Sequence, residues 1–152
     1  MKSIVIFGAT GDLCRRKLIP ALYSLHKENL LPEDLLIVGA SRTNHGKESW
    51  VKTLGNYSKE ILQRLHYVCC DLSRPETLEA LGWTDDTTYF LSVPPERYAD
   101  AITHLKQAGK LDDPEKSRVI IEKPFGTDLQ SANYLQSVVA GHLREKQVYR
   151  ID

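Results

Sequence analysis

Gly8-Ala9-Thr10-Gly11-Asp12-Leu13 stands between an apolar run, Ser3-Ile4-Val5-Ile6-Phe7, and an amphipathic stretch. Two glycines there permit a tight turn and a close backbone approach, and the free N–H groups of the helix that follows present the positive end of its dipole to an anion. A dinucleotide pyrophosphate is the ligand such a turn suits, although glycine can also serve the turn geometry alone. The spacing is G-x-x-G, shorter than G-x-G-x-x-G, with Cys14 where a third small residue would stand against a sheet. Arg15, Arg16 and Lys17 come next, in first turns where a cation opposes the dipole, a placement that favours a nearby phosphate, an ordinary solvated basic face being at least as good an account of any one of the three. Gly39-Ala40-Ser41-Arg42-Thr43 ends a second apolar run with arginine where an NAD site usually presents a carboxylate to the ribose. A guanidinium can hold the 2′-phosphate of NADP, so Arg42 favours NADP over NAD, the alternative being a surface arginine. A third cluster is Glu122-Lys123-Pro124-Phe125-Gly126, whose lysine could reach a substrate hydroxyl or phosphate or could be a simple strand-end charge.

The elements that would position these groups alternate along the chain. Strands are expected at 3–7, 35–39, 65–69, 88–92, 117–122 and 147–151, and helices at 12–29, 46–62, 75–82, 95–108 and 128–141. Repeated βα units with doubly apolar strands imply an α/β, Rossmann-type, doubly wound and mainly parallel six-stranded sheet with helices on both faces. In the first helix Leu13, Leu18, Ala21, Leu22 and Leu25 recur at three- and four-residue steps on one face, with Pro20 marking a kink or break. Pro94-Pro95 is placed to start the fourth helix and Asp128 to cap the fifth.

The 152 residues make one domain with enough chain for a core. Twenty Lys+Arg balance twenty Asp+Glu, which disfavours general disorder and broad capture of nucleic acid or acidic membrane. No apolar run approaches a membrane span or forms a signal-peptide core, so a soluble, cytoplasmic protein is expected. Cys14, Cys69 and Cys70 lack disulfide or zinc spacing and read as reduced, mostly buried thiols; no metal is expected.

Four segments together carry a family resemblance. Gly8–Leu13 with Arg15-Arg16-Lys17-Leu18, Ser92-Val93-Pro94-Pro95, Glu122–Ala132 and Gln147-Val148-Tyr149-Arg150-Ile151-Asp152 resemble, in order and spacing, the coenzyme domain of the glucose-6-phosphate dehydrogenases. The resemblance implies that residues 1–152 are an NADP-binding domain with the C-terminal substrate and catalytic domain absent. It implies that Gly8, Ala9, Thr10, Gly11, Asp12 and Leu13 hold the pyrophosphate, Arg42 the 2′-phosphate, and that Ser92 and Val93 line the cleft. Lys123 would contact substrate and nicotinamide, Pro124 would position the nicotinamide, Lys17 would lie near glucose 6-phosphate, and Asp152 would orient the family's catalytic histidine.

That histidine follows later in the family, whereas this sequence stops at Asp152, and His26, His45, His66, His104 and His142 match none of the family's functional histidines. Loss of a general base costs about 10²–10⁴-fold in rate, so the chain alone is expected to have little or no dehydrogenase activity. A sequence ending inside an apolar strand is further expected to self-associate or to pair with a missing C-terminal portion. The alternative reading is a non-catalytic NADP-binding module that regulates or pairs with another chain.

Overall fold

The computed structural model describes residues 2–44, 46–81 and 85–152. Six strands, β1 (Lys2–Phe7), β2 (Leu35–Ser41), β3 (Leu65–Cys69), β4 (Asp86–Leu91), β5 (Ser117–Glu122) and β6 (Val148–Ile151), form one sheet in the order β3-β2-β1-β4-β5-β6. Every pairing is parallel. Chain order reverses between β1 and β4, the switch point at whose carboxyl edge open α/β sheets bind ligands.

The strands alternate between two cores. Val5, Phe7, Val38, Ala40, Tyr89, Leu91, Val119 and Ile121 face helices α4 (Tyr98–Gln107) and α5 (Leu129–His142). Ile6, Ile37 and Phe90 face the other way, toward α1 (Ile19–Lys27), α2 (Lys47–Leu54) and α3 (Lys59–Leu62). The doubly apolar strands follow from this two-sided burial.

Helix boundaries depart from the sequence reading where glycine and proline act. The stretch 46–62 divides into α2 and α3 at Gly55, whose φ of +115° no other residue type adopts readily. The stretch 95–108 begins as a 3₁₀ turn at Pro95–Arg97 before α4, and 75–82 is a 3₁₀ helix over Pro75–Ala80, its last expected residue lying outside the described residues. Asp128 caps α5 as expected, its carboxylate accepting from the Ser131 N–H at 2.7 Å while Ser131 Oγ accepts from the Asp128 N–H at 3.1 Å.

The first helix differs most. Cys14–Leu18 is π-helical, with the Ile19 N–H donating to the Cys14 carbonyl, and α1 starts with Pro20 in its first turn. Pro20 has no N–H and its ring would collide with a carbonyl one tight turn back, so the wider turn before it relieves the clash. The extra residue rotates everything downstream. Ile19, Leu22 and Tyr23 therefore face the core, and Ala21 and Leu25 from the expected apolar stripe are exposed.

Candidate functional site

The turn after β1 is built on one residue without a side chain. Gly8 has φ +84°, and a Cβ there would stand 2.0 Å from the Ser92 carbonyl oxygen at the end of β4. Both restrictions demand glycine: one is conformational, the other is the approach of two backbones at the switch point. The Gly8 and Ala9 N–H groups donate to the Ala40 carbonyl at 3.0 and 3.2 Å, and Gly11 N–H closes the turn onto the Gly8 carbonyl at 3.0 Å. The ends of β1, β2 and β4 are thereby tied together.

Trp50 of α2 secures the same turn from beneath. Its indole N–H donates to the Ala9 carbonyl at 3.0 Å, the side chain is fully buried, and its ring lies where a Cβ on Gly39 would come within 2.5 Å. Ala9 is buried and serves as this acceptor.

A cleft of about 620 Å³ opens at this edge. Of the residues expected at a coenzyme site, Gly8, Thr10, Gly11, Arg42, Ser92 and Val93 line it. Leu13 packs into the core below. Asp12 is exposed and pairs with Arg15 at 2.6 Å and Arg16 at 3.9 Å, so these two cations, expected to favour a phosphate, meet a carboxylate of the chain itself. Lys17 is exposed and is not among the cleft's lining residues.

Arg42 is carried on a pinned bend. Tyr67 of β3 donates to the Thr43 carbonyl at 2.5 Å and lies 2.5 Å from Ser41 Oγ, which also accepts from the Thr43 N–H at 3.2 Å. The Cys69 thiol reaches the Arg42 carbonyl at 3.5 Å. The backbone of Arg42 is thus held on both sides, and the residue is exposed and lines the cleft.

The far wall comes from segments that no motif announces. Cys70, Asp71, Leu72 and Ser73 follow β3, and Arg97, Asp100, Ala101 and His104 form a stripe at three- and four-residue spacing into α4. His104 Nδ1 bonds the Leu72 carbonyl and joins the two segments. Asp71 accepts from Ser73 Oγ at 2.7 Å and from the Ser73 N–H at 2.9 Å. These bonds, helped by the positive charges of Arg42 and Arg74, hold its carboxyl below the usual carboxylate range. The histidine reading is refined accordingly: His104 is a wall residue of the cleft, whereas His45 lies outside the described residues.

Lys123 and Pro124, joined by a cis peptide bond, follow β5 outside the cleft's lining. Lys123 Nζ pairs with Asp152 Oδ1 at 2.7 Å, with both side chains largely exposed. The register brings them together, because β6 lies beside β5 and the Lys123 N–H donates to the Ile151 carbonyl at 2.9 Å. Behind them Tyr98 of α4 brackets the Glu122 peptide, donating to its carbonyl at 3.2 Å and accepting from its N–H at 3.4 Å.

Among the described residues no helix is long and apolar enough to cross a membrane. Cys14 and Cys70 are buried and Cys69 is exposed, in keeping with mostly buried thiols.

Comparison with known proteins agrees with this geometry. The glucose-6-phosphate 1-dehydrogenase of Schizosaccharomyces pombe is 35% identical over 175 residues, covering 99% of this chain and 34% of that protein. The enzyme of Chlamydia pneumoniae is 38% identical over 178 residues, covering 98% and 35%. Among solved structures, a glucose-6-phosphate dehydrogenase in complex with its substrate glucose-6-phosphate superposes with a TM-score of 0.83 at 30% identity, over 99% of this chain and 36% of that one. The Mycobacterium avium enzyme gives 0.82 at 28% identity, over 99% and 35%. The chain therefore spans about a third of the length of these relatives. Residues 5–152 match the model of the glucose-6-phosphate dehydrogenase NAD-binding domain, and the chain belongs to that family.

Proposed function

We propose that the chain is the NADP-binding part of a glucose-6-phosphate dehydrogenase, competent to hold the coenzyme and incompetent to turn over the sugar by itself. The observation that carries this reading is Arg42, which lines the cleft just after β2, where the neighbouring residues offer no carboxylate. The cradle fits a dinucleotide: Gly8 lets the turn close against Ser92 at the cleft's edge, and the first amides of the helix that follows have no intrahelical acceptor. Gly8, Thr10 and Gly11 would receive the pyrophosphate, Arg42 the 2′-phosphate, and Ser92 and Val93 the path toward the nicotinamide. Ala9, Asp12 and Leu13 shape the turn from behind or from its rim. Bound NADP would supply the hydride acceptor, and the residues of this chain bind and orient it.

Lys123, Pro124, Lys17 and Asp152 are assigned to the sugar-phosphate side. The Lys123–Asp152 pair holds an ammonium and a carboxylate where substrate and a base histidine would meet them. Such an imidazole would take the proton from the C1 hydroxyl, with Asp152 fixing its tautomer. Glucose 6-phosphate is thus a substrate of the whole enzyme, reached only with a further portion of chain, and the cytoplasm is the compartment assigned to it.

Calorimetric titration of the chain with NADP⁺ and with NAD⁺ tests the coenzyme assignment. NADP⁺ is expected to bind at least tenfold tighter, about 1.4 kcal/mol, and Arg42→Ala is expected to remove that preference selectively. Equal affinities, unchanged by the substitution, would overturn the role of Arg42. Clear NADPH production from glucose 6-phosphate by the chain alone would overturn its incompetence.

A further inference from the structure

We infer that Arg97 is a second coenzyme-binding arginine, which grips the pyrophosphate from the wall opposite the glycine turn; the inference rests on the coenzyme reading above. Arg97 lines the same cleft as Gly8, Thr10, Gly11 and Arg42. Its neighbours hold its backbone firmly. Pro94 and Pro95 precede it, its own N–H donates to the Pro94 carbonyl at 2.9 Å, and the buried Tyr98 that follows is anchored at Glu122. The side chain is nonetheless exposed to the cleft.

Its guanidinium has no carboxylate within 4.0 Å among the described residues, whereas five of the nine arginines do. Arg15, Arg16, Arg74, Arg118 and Arg150 each meet a carboxylate within 4.0 Å. Among the described residues Arg42, Arg64, Arg97 and Arg144 have no such ion pair; Arg64 donates to the Pro32 and Leu35 carbonyls instead, and of the four only Arg42 and Arg97 line the cleft. Asp100 lies three residues beyond Arg97 and also lines the cleft, yet the two do not pair, although Asp12 and Arg15 do so at the same spacing. A cation at the start of α4 also opposes the helix dipole, a cost that a bound anion offsets.

Topology decides which anion. β4 lies beside β1, and the Gly8 turn abuts Ser92, five positions before Arg97. Arg42 leaves β2 on the other flank of β1. The stripe Arg97, Ala101, His104 runs down α4 away from the carboxyl edge and reaches Leu72 at His104, so Arg97 is its member nearest the turn. The group between Arg97 and the glycine turn is the pyrophosphate, which NADP and NAD share, while the 2′-phosphate belongs to Arg42.

This division of labour has a readout. In calorimetric titrations Arg97→Gln is expected to weaken NADP⁺ and NAD⁺ by the same factor, tenfold or more, leaving their ratio as in the unsubstituted chain, with Arg97→Lys retaining part of the affinity. Arg42→Ala in the same series changes the ratio. Affinities within twofold of the unsubstituted chain for Arg97→Gln, or a loss confined to NADP⁺, would overturn the assignment while leaving the coenzyme reading intact. Failure of the unsubstituted chain to bind either coenzyme would instead overturn that reading and the inference with it. Arg97 is exposed and carries no packing role, and an unchanged circular dichroism spectrum separates lost contact from lost fold.

Discussion

Burial pushes the thiols of Cys14 and Cys70 up to about 12, with the neighbouring Cys69 and Asp71 adding to the effect at Cys70. The thiolate is the reactive form, and both side chains are also closed to reagents. Cys69, one position away on the opposite face of β3, is exposed. Iodoacetamide at pH 8 is therefore expected to modify Cys69 alone in the folded chain and all three cysteines in urea, read by intact mass; fast labelling of a second thiol without denaturant would contradict the burial. The same shift sets a pH dependence. In the unfolded chain each thiol ionises near 9.0, whereas the folded chain keeps it protonated. The contribution of these two groups is fully present below that value and is lost as pH rises from about 9 to about 12, so the urea midpoint should fall through that window. Cys14→Ala and Cys70→Ala together should flatten the fall.

At the scale of elements, the coenzyme turn depends on a helix that never touches the cleft. Trp50 fills the space above Gly39 and holds the Ala9 carbonyl, so Trp50→Ala removes a buried ring and a hydrogen bond together. A loss of about 3–5 kcal/mol is expected for such a truncation. Gly39→Ala errs the other way, with its methyl carbon 2.5 Å from the indole, and should cost about 1–3 kcal/mol through overpacking. Urea titration measures both, and a Gly39→Ala midpoint at or above that of the unsubstituted chain would refute the close approach. Periodicity revealed where the strands lie, and Gly8–Gly11 pointed to the strand end at which the cleft opens, because both signals are local. The rotation of α1 was not legible, since it depends on the π turn that precedes Pro20 and not on the spacing of leucines. Nor were Tyr67 under Arg42, or Arg97 and His104 across the cleft, because each acts through a partner 24 or more positions away or through a wall that only the folded chain assembles. One signal was available for Arg97: a cation just after Pro94-Pro95, where a helix N-terminus disfavours it.

For the molecule as a whole, the two faces of the sheet are unequally covered. Helices α1, α2 and α3 gather over β1, β2 and β3, and the β5–β6 end of that face is left with Ile120 beside Tyr149 and Glu122 beside Ile151 in register. Tyr149 is 49% and Ile151 37% exposed, while Val148, on the opposite face, is buried under α4 and α5. Among the described residues β6 is an edge strand, so one row of its backbone groups has no strand partner there. An apolar strip beside an open edge offers both a hydrophobic and a hydrogen-bonding reason to associate. In the family this chain matches, the relatives are about three times as long, so another portion of an enzyme could cover the same strip. Sedimentation velocity across a wide range of concentrations is expected to show reversible self-association of the chain, and Tyr149→Lys with Ile151→Lys is expected to shift it toward monomer. Both substitutions lie on the uncovered face and should leave the urea midpoint nearly unchanged. A monomer at every concentration would mean that the strip is too small to drive association unaided, and pairing with a separately produced C-terminal portion would then be the measurement that decides what covers it.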